Sequence, residues 1–224
     1  HVVEGAYEYR VIFSRSDENG NLLNINEQLT MRGSESDWIA HPDESVDLCV
    51  LPIGPALNGF IRAGKHLLTI PLSLELLPTD KQIQDMGCMD EVTMVGYPNG
   101  IWDEANNLPI VRRGITATPY RYDYQGQKEF LVDMACYPGS SGSPVFLYNE
   151  GTYLENDAVV MGKRLYLLGI LRAVPIRTLL GDITVSTIAH VSVQDMLNLG
   201  IVIKSERLRD FDPIVRERLS VSGN

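Results

Sequence analysis

The sequence predicts an all-β protein, and three observations support this fold class. Short apolar or alternating runs rich in Val, Ile, Leu, Thr and Tyr recur along the 224 residues, and turn residues separate them. Their spacing is close to that of strands in a barrel or a sandwich. The signals for helices are few and come late in the chain. With 44% hydrophobic and 21% charged residues, the chain has enough apolar side chains for a sizeable core.

The predicted elements follow in chain order. The strand candidates are residues 7–13, 46–53, 91–98, 114–122, 129–135, 142–148, 164–174 and 186–193. Ser192 is a candidate N-cap for a helix over 193–199. The segment 212–219 has an Asp-Pro start and a helical charge pattern, so a C-terminal helix is expected there. Residues 96–109 form a long polar loop, for which a functional loop and a flexible surface loop both remain open.

The composition argues against several classes of function. The net charge is −10 and the longest basic cluster is Arg112-Arg113, so nucleic acid is not an expected partner. No apolar run approaches the ~18–20 residues of a membrane span, and no metal-binding or cofactor motif occurs. The three cysteines are widely spaced, which predicts free thiols and a cytoplasmic protein.

The stretch CYPGSSGSPVF, residues 136–146, is the candidate for chemistry. A plain turn needs one or two glycines or a proline, whereas this stretch has three serines around two glycines. A serine hydroxyl attacks a carbonyl only when a base takes its proton and backbone N–H groups stabilise the oxyanion. A tight glycine turn leaves such N–H groups unobstructed. The pattern therefore predicts a nucleophilic serine, Ser141.

The segment YPGSSGSPVF resembles the Gly-x-Ser-Gly-Ser-Pro signature of chymotrypsin-like, trypsin-fold serine peptidases of the bacterial type. The resemblance implies that Ser141 is the nucleophile and that the N–H groups of Gly139 and Ser141 form the oxyanion hole. It implies two packed six-stranded antiparallel β-barrels. Residues 1–85 would carry the base and the acid, 86–204 the nucleophile, oxyanion hole and specificity pocket, and 205–224 a helical tail that is either solvated or docks another domain.

The resemblance also identifies an acid and a base. VDLCVLPI resembles the family's acid-bearing strand, which makes Asp47 the orienting carboxylate, whereas Asp43 is expected to face solvent. HVVEGA resembles the segment that begins at the catalytic histidine, which makes His1 the general base. The family places strands before this histidine. We therefore expect the first barrel to lack its opening strands here, because upstream residues are missing from the sequence or because a partner chain completes the barrel.

The other histidines before the nucleophile are less suited to the role of base. His41 precedes Asp47 by only six residues, so the two could meet only if the chain folds back between them. We expect His41 to be a polar surface residue and His66 to lie in a loop or at a strand edge.

The resemblance locates substrate-binding residues as well. Ala135, six residues before the nucleophile, would form the floor of the specificity pocket, and its lack of charge favours a small or apolar substrate side chain. His190 would border this pocket, either to contact a substrate side chain or as a structural histidine. The strand LLGILRA would pair with an extended peptide. Its expected binding residues are Gly169, Ile170 and Leu171.

The sequence thus predicts a serine endopeptidase that works through a Ser-His-Asp triad and an acyl-enzyme intermediate. Its substrate would be a protein or peptide. The chain would be the protease domain of a larger regulated protein, controlled by a further domain or a partner chain. The alternative is a catalytically inactive trypsin-fold binding module.

Overall fold

A computed structural model of the chain describes residues 8–32, 38–155, 158–173, 176–183 and 189–221. The chain forms two compact units. The N-terminal unit comprises residues 1–74, 102–109 and 206–224, and the barrel unit comprises 75–101 and 110–205. The sequence predicted boundaries after residues 85 and 204, whereas the units divide first between Leu74 and Glu75.

The described strands, in chain order, are β1 (Glu8–Ser16), β2 (Leu22–Arg32), β3 (Ile39–Ala40), β4 (Cys49–Val50), β5 (His66–Leu67), β6 (Glu91–Gly96), β7 (Ile110–Thr116), β8 (Glu129–Asp133), β9 (Pro144–Glu155), β10 (Ala158–Ala173), β11 (Ile176–Ile183), β12 (Ala189–Met196) and β13 (Leu199–Lys204). The α-helices are α1 (Gly54–Arg62), α2 (Asp80–Asp85) and α3 (Asp212–Val221). None of the helices in the described ranges is long and apolar enough to cross a membrane.

Six strands of the barrel unit close into an antiparallel barrel in the order β10-β13-β8-β7-β6-β9. Side chains alternate between its interior and exterior, as the period of two in the sequence predicted. Along β6, Val92 and Met94 are buried, whereas Thr93 and Val95 between and beyond them are half-buried. The prediction of an all-β fold is confirmed.

The interior of this barrel is the main hydrophobic core. Phe130, Val132, Val145, Leu147 and Leu168 are all 0% exposed. Full burial of one such side chain contributes ~1.5–3 kcal/mol, so the barrel can hold its loops in fixed positions.

The N-terminal unit is built on a three-stranded sheet in the order β2-β1-β5, with a separate pair formed by β3 and β4. The turn between β1 and β2 is held by the carboxylate of Asp17, which accepts hydrogen bonds from the N–H groups of Asn19 at 2.9 Å and Asn21 at 2.8 Å. Val11 and Ile12 on β1 are 37% and 42% exposed. Over the described residues this unit is therefore an open sheet rather than a second closed barrel.

The C-terminal tail begins with a 3₁₀ segment, Ser205–Phe211, and continues into α3. The predicted C-terminal helix is thus present. The helix predicted over 193–199 is wrong, because its first residues belong to β12 and its last begins β13. β12 pairs with β11 over the whole of both strands, from Ile176 opposite Met196 to Ile183 opposite Ala189. This pairing supplies the backbone partners that a helix would otherwise have provided, and it overrides the local capping signal.

Candidate active site

The loop between β8 and β9 carries Ser141 at its tip. Two hydrogen bonds fold this loop into successive tight turns, from Ser140 N to Tyr137 O at 3.0 Å and from Ser143 N to Ser140 O at 3.1 Å. Gly139 has φ +81°, a left-handed conformation that side chains rarely adopt. A Cβ there would also lie 3.1 Å from the backbone nitrogen of Asn99.

Two backbone carbonyls of this loop, at Pro138 and Ser140, accept hydrogen bonds from backbone N–H groups. Pro138 O accepts a hydrogen bond from Asn99 N at 2.8 Å, and Ser140 O accepts one from Ser143 N at 3.1 Å. Because a trans peptide is planar, its N–H points away from its carbonyl. The N–H groups of Gly139 and Ser141 are therefore directed away from these anchors. Within the described part of the chain, neither N–H has a hydrogen-bond acceptor. They are available as the pair of donors that an oxyanion hole requires.

The hydroxyl of Ser141 is half-buried and donates a hydrogen bond to the carbonyl of Arg172 at 2.9 Å. The loop is held against β10 by two further bonds, from Gly142 N to Leu171 O at 2.7 Å and from Leu171 N to Ser143 O at 2.9 Å. Arg172 is the extra residue of a bulge, where the pairing of β10 with β13 shifts register. The bulge turns the Arg172 carbonyl towards the loop, as bulges near functional sites often do.

The end of β6 packs closely against the same loop. Gly96, the last residue of β6, lies against Ser143, and a Cβ on Gly96 would be 2.0 Å from Ser143 Oγ. Ser143 is buried as a result. Only glycine at position 96 allows this approach, which fixes the start of β9 and with it the position of Ser141.

Asp47, the predicted acid, lies in the N-terminal unit two residues before β4. It is the central residue of a tight turn that is closed by a bond from Leu48 N to Val46 O at 2.8 Å. The Asp47 residue is exposed. The predicted base, His1, lies outside the described residues. The convergence of His1, Asp47 and Ser141 therefore stays a prediction.

His41 is not the surface histidine that the sequence predicted, because it is only 5% exposed. Its Nε2 lies 3.1 Å from Asp210 Oδ2 and 3.3 Å from the carbonyl of Arg207, and its Nδ1 accepts the N–H of Asp43 at 3.0 Å. Its ring packs edge-on against Phe211, with centroids 5.1 Å apart. These partners lie more than 160 residues away in the sequence, apart from Asp43. His41 therefore holds the 3₁₀ segment onto the N-terminal unit.

The residues of β10 that were predicted to pair with a substrate already pair with other segments of the barrel on both sides. Gly169 and Ile170 pair with β13 on one side and with β9 on the other. Leu171 pairs with β13 and exchanges backbone hydrogen bonds with the nucleophile loop. Neither edge of Gly169, Ile170 or Leu171 is therefore open to an added strand. Pairing with β9 ends at Ile170, opposite Pro144, the first residue of β9. An added strand could therefore pair on this side only from Arg172 and Ala173 onward, whereas on its other side Ala173 pairs with Ile201 of β13.

The predicted pocket residues have different surroundings. Ala135 is exposed, and its carbonyl accepts a hydrogen bond from the guanidinium of Arg112 on β7. The same guanidinium lies 4.7 Å from the ring centroid of Tyr137. His190 lies in β12, opposite Asp182 of β11. Its predicted contact with a substrate stays a prediction.

The three cysteines are free, as predicted. Cys136 lies directly before the nucleophile loop and is 0% exposed. Burial raises the pKa of Cys136 to about 11, and the nearby charge of Arg112 opposes this rise only partly. Cys136 is therefore a packing residue rather than a second nucleophile.

Three residues with roles at this site did not stand out in the sequence. Asn99 anchors the Pro138 carbonyl, Arg172 accepts the bond from Ser141, and Arg112 borders the predicted pocket. Only Asn99 carried a local signal, because Asn-Gly after Tyr-Pro is typical of a tight turn. The positions of Arg112 and Arg172 depend on which strands are neighbours in the barrel.

Comparison with known proteins gives one match. A family model described as a trypsin-like peptidase domain matches residues 1–154, which is more than half of the chain. The matched range includes the predicted base and acid and the whole loop around Ser141. No curated protein and no solved structure matches the chain.

Proposed function

Because the chain belongs to the trypsin-like peptidase family, we propose that it is a serine endopeptidase with Ser141 as its nucleophile. Membership of this family gives the broader class, a hydrolase of the peptidase type. The observation that carries the finer assignment is the loop at residues 137–143. It pairs a half-buried serine hydroxyl with two N–H groups that have no acceptor in the described ranges.

The proposed reaction has two steps, acylation of Ser141 and hydrolysis of the acyl-enzyme. Ser141 Oγ forms a bond to the substrate's carbonyl carbon, and its proton passes to the imidazole of His1. The C–N bond then breaks, and the imidazolium gives that proton to the leaving amine. A water molecule attacks the acyl-enzyme in the same manner and releases the new carboxylic acid. Asp47 would orient the imidazole and stabilise its cation.

The N–H groups of Gly139 and Ser141 would stabilise the oxyanion that forms in each step. Their supporting contacts belong to the barrel unit itself, since both carbonyl anchors lie in it. One such donor is typically worth about 10²–10³-fold in kcat. Preorganisation matters here because the donors then cost no rearrangement at the moment of reaction.

An extended substrate would pair with β10 at Arg172 and Ala173. This stretch follows the residues whose two edges are occupied, and it lies next to the Ser141 hydroxyl. Pairing of main chains binds a peptide whatever its sequence, which suits an endopeptidase.

A binding module without activity remains the second candidate. The observation that favours it is the hydrogen bond of the Ser141 hydroxyl, which is made to a carbonyl and not to a base within the described residues. A carbonyl cannot accept the proton in catalysis, so the hydroxyl must turn towards an imidazole for the reaction to occur.

Fluorophosphonate labelling separates the two candidates. We expect the folded full-length protein to be labelled on Ser141, with mass spectrometry locating the adduct, and Ser141→Ala to remain unlabelled. The urea-unfolded protein serves as a control, because an unactivated serine does not react. Lack of labelling of the folded full-length protein, together with no cleavage of a denatured protein substrate, would favour the binding module. Activity that appears only with a further domain or partner chain would support the proposed regulation.

A further inference from the structure

Arg112 is a cation beside the nucleophile loop. Its guanidinium donates through Nη1 to the carbonyl of Ala135 and lies 4.7 Å from the ring centroid of Tyr137. Within the described ranges it forms no ion pair. Its neighbour Arg113 has an ordinary surface role, because its Nη2 lies 2.7 Å from Glu91 Oε2.

The two arginines lie on opposite faces of β7, because successive side chains of a strand alternate. Arg113 is exposed, whereas Arg112 is half-buried and faces the chain that leads to Ser141. A charged side chain that only increases solubility is normally exposed, as Arg113 is, whereas Arg112 is partly buried beside this loop. Among the described residues, only one N–H group of the Arg112 guanidinium has an acceptor. The other N–H groups form a planar arrangement that matches a carboxylate.

Arg112 lies beside the segment that leads to Ser141. The bond from Ser140 N to Tyr137 O closes a turn at 3.0 Å, which keeps the Cα atoms of these two residues within about 7 Å. Ser141 adds one further residue, or about 3.8 Å. The Cα of Tyr137 therefore lies within about 11 Å of the Cα of Ser141, and the guanidinium stacks on the Tyr137 ring. The same guanidinium also contacts Ala135, the predicted floor of the specificity pocket, where the side chain before the scissile bond would bind.

The carboxylate of Asp133 lies close enough to affect the same thiol as Arg112, that of Cys136. Burial is the largest cause of the raised pKa of Cys136, the charge of Arg112 opposes that rise, and the charge of Asp133 adds to it. Arg112 and Asp133 thus both act on the base of the loop. Asp133 is exposed and does not come within ion-pair distance of Arg112. The carboxylate that would complete the arrangement is missing from the described part of the chain.

We propose that Arg112 binds a substrate carboxylate and that the enzyme cleaves peptides after Glu or Asp. This inference rests on the proposed endopeptidase function. It replaces the expectation of a small or apolar substrate side chain, which considered only the uncharged Ala135. The charge comes from a neighbouring strand instead. The net charge of −10 makes a local cation all the more necessary for an acidic substrate.

The test compares fluorogenic peptides that differ only in the residue before the scissile bond: Glu, Gln, Leu or Lys. With the full-length protein, we expect kcat/KM for Glu to exceed that for Gln on the order of 10–100-fold, because the Gln amide cannot form the charged hydrogen bonds. Arg112→Gln should remove this ratio. Arg112→Lys should retain part of the ratio. Arg113→Gln is the matched control and should keep it whole.

Fluorophosphonate labelling of the same variants separates failure of this inference from failure of the proposed function. A wild-type protein that labels and cleaves without preferring Glu overturns the inference alone. Equal loss of the Glu preference in Arg112→Gln and Arg113→Gln also overturns it. A wild-type protein that neither labels nor cleaves any of the peptides overturns both proposals. If Arg112→Gln misfolds and is not labelled, the Arg112→Lys variant is used for the test instead. If Arg112→Lys kept the full wild-type ratio of kcat/KM for Glu over Gln, planar recognition by arginine would be contradicted.

Discussion

The barrel unit and the N-terminal unit bury apolar surface in different ways. In the barrel unit, six strands pair around a closed ring and enclose the core. In the N-terminal unit the described sheet is open, and of the buried hydrophobic side chains found in the described residues only Ile39 and Phe211 belong to it. Because the barrel is closed, none of its strands has an open edge, and the interior side chains are surrounded by strands on all sides. We therefore expect the barrel unit to be the more stable part of the molecule.

The difference matches the division of chemical roles. The proposed nucleophile and the two proposed oxyanion donors lie on a loop of the closed barrel, where contacts with β6 and β10 fix them. The predicted acid lies on an exposed turn of the open unit. Groups that must be placed to within a few tenths of an ångström benefit most from a rigid support, whereas regions of lower stability are suited to rearrangement.

The largest expected effects are on activity. Ser141→Ala should lower kcat by about 10⁶-fold and Asp47→Asn by about 10⁴-fold, because members of a triad act as a unit. For the same reason, the double variant should be no slower than Ser141→Ala. Asp43→Asn is the control for Asp47, since its carboxylate already bonds Ser45 and Arg207. Full activity of Asp47→Asn would show that the N-terminal unit supplies its acid from another residue.

The next effect tests the two cores directly. Phe130→Ala removes a side chain that is 0% exposed and should cost about 3–5 kcal/mol of unfolding free energy. Val11→Ala on the open sheet should cost less than about 1 kcal/mol. Urea unfolding followed by circular dichroism reports both units. Tryptophan fluorescence reports the N-terminal unit, because Trp38 and Trp102 both belong to it. Equal costs for the two variants would contradict the difference in packing.

Asn99 tests whether the barrel alone supports the oxyanion hole. Asn99→Pro deletes the N–H that anchors Pro138 O and cannot adopt the observed φ of +52°. We expect kcat to fall by about 10²-fold, with a smaller change in KM. Asn99→Gly keeps both the donor and the conformation and should stay near wild-type kcat. Equal losses in the two variants would mean that the Asn99 side chain, rather than its N–H, is required.

A smaller effect is expected where the tail joins the N-terminal unit. His41→Ala leaves the Asp43 N–H without its acceptor and removes one partner of the Asp210 carboxylate, which keeps its ion pair with Arg207. The change should cost about 1–3 kcal/mol. The change should shift the fluorescence transition of the N-terminal unit. His66→Ala is the control, because His66 is exposed on β5 and should change stability by less than about 0.5 kcal/mol. No shift in His41→Ala would mean that the tail contributes nothing to the unit's stability.

Thiol alkylation gives the smallest perturbation, because it needs no substitution. Cys88 is exposed and should react first, half-buried Cys49 of the N-terminal unit second, and Cys136 of the barrel core last. With a pKa of about 11, Cys136 has roughly one thiolate in a thousand molecules at pH 8. Because folding favours its protonated form, its contribution to stability is complete below pH 9.0 and is lost as pH rises to about 11. Cys136 reacting before Cys49 in mild denaturant would reverse the expected order of stability.

How far the sequence predicts the structure can be seen at single residues. The run at 91–98 predicted a strand, and β6 buries Val92 and Met94 on one face, because the two-residue period of a strand is a local property. The glycines and serines at 139–143 predicted a tight loop with a nucleophile, because backbone conformation there depends on residue type. The helix over 193–199 was predicted wrongly, because a capping signal is local and the pairing with β11 is not.

The sequence by itself determined the all-β class and the membership of a peptidase family, and it gave the position proposed for the nucleophile, since these depend on residue types at short spacings. Tertiary structure alone decided that His41 is buried against the tail, that β10 is occupied up to Leu171, and that Arg112 lies beside the loop of Ser141. These facts join residues 23 to 169 positions apart. Such contacts form only because closing the barrel and docking the tail bury more apolar and polar surface than any local arrangement of the same segments could.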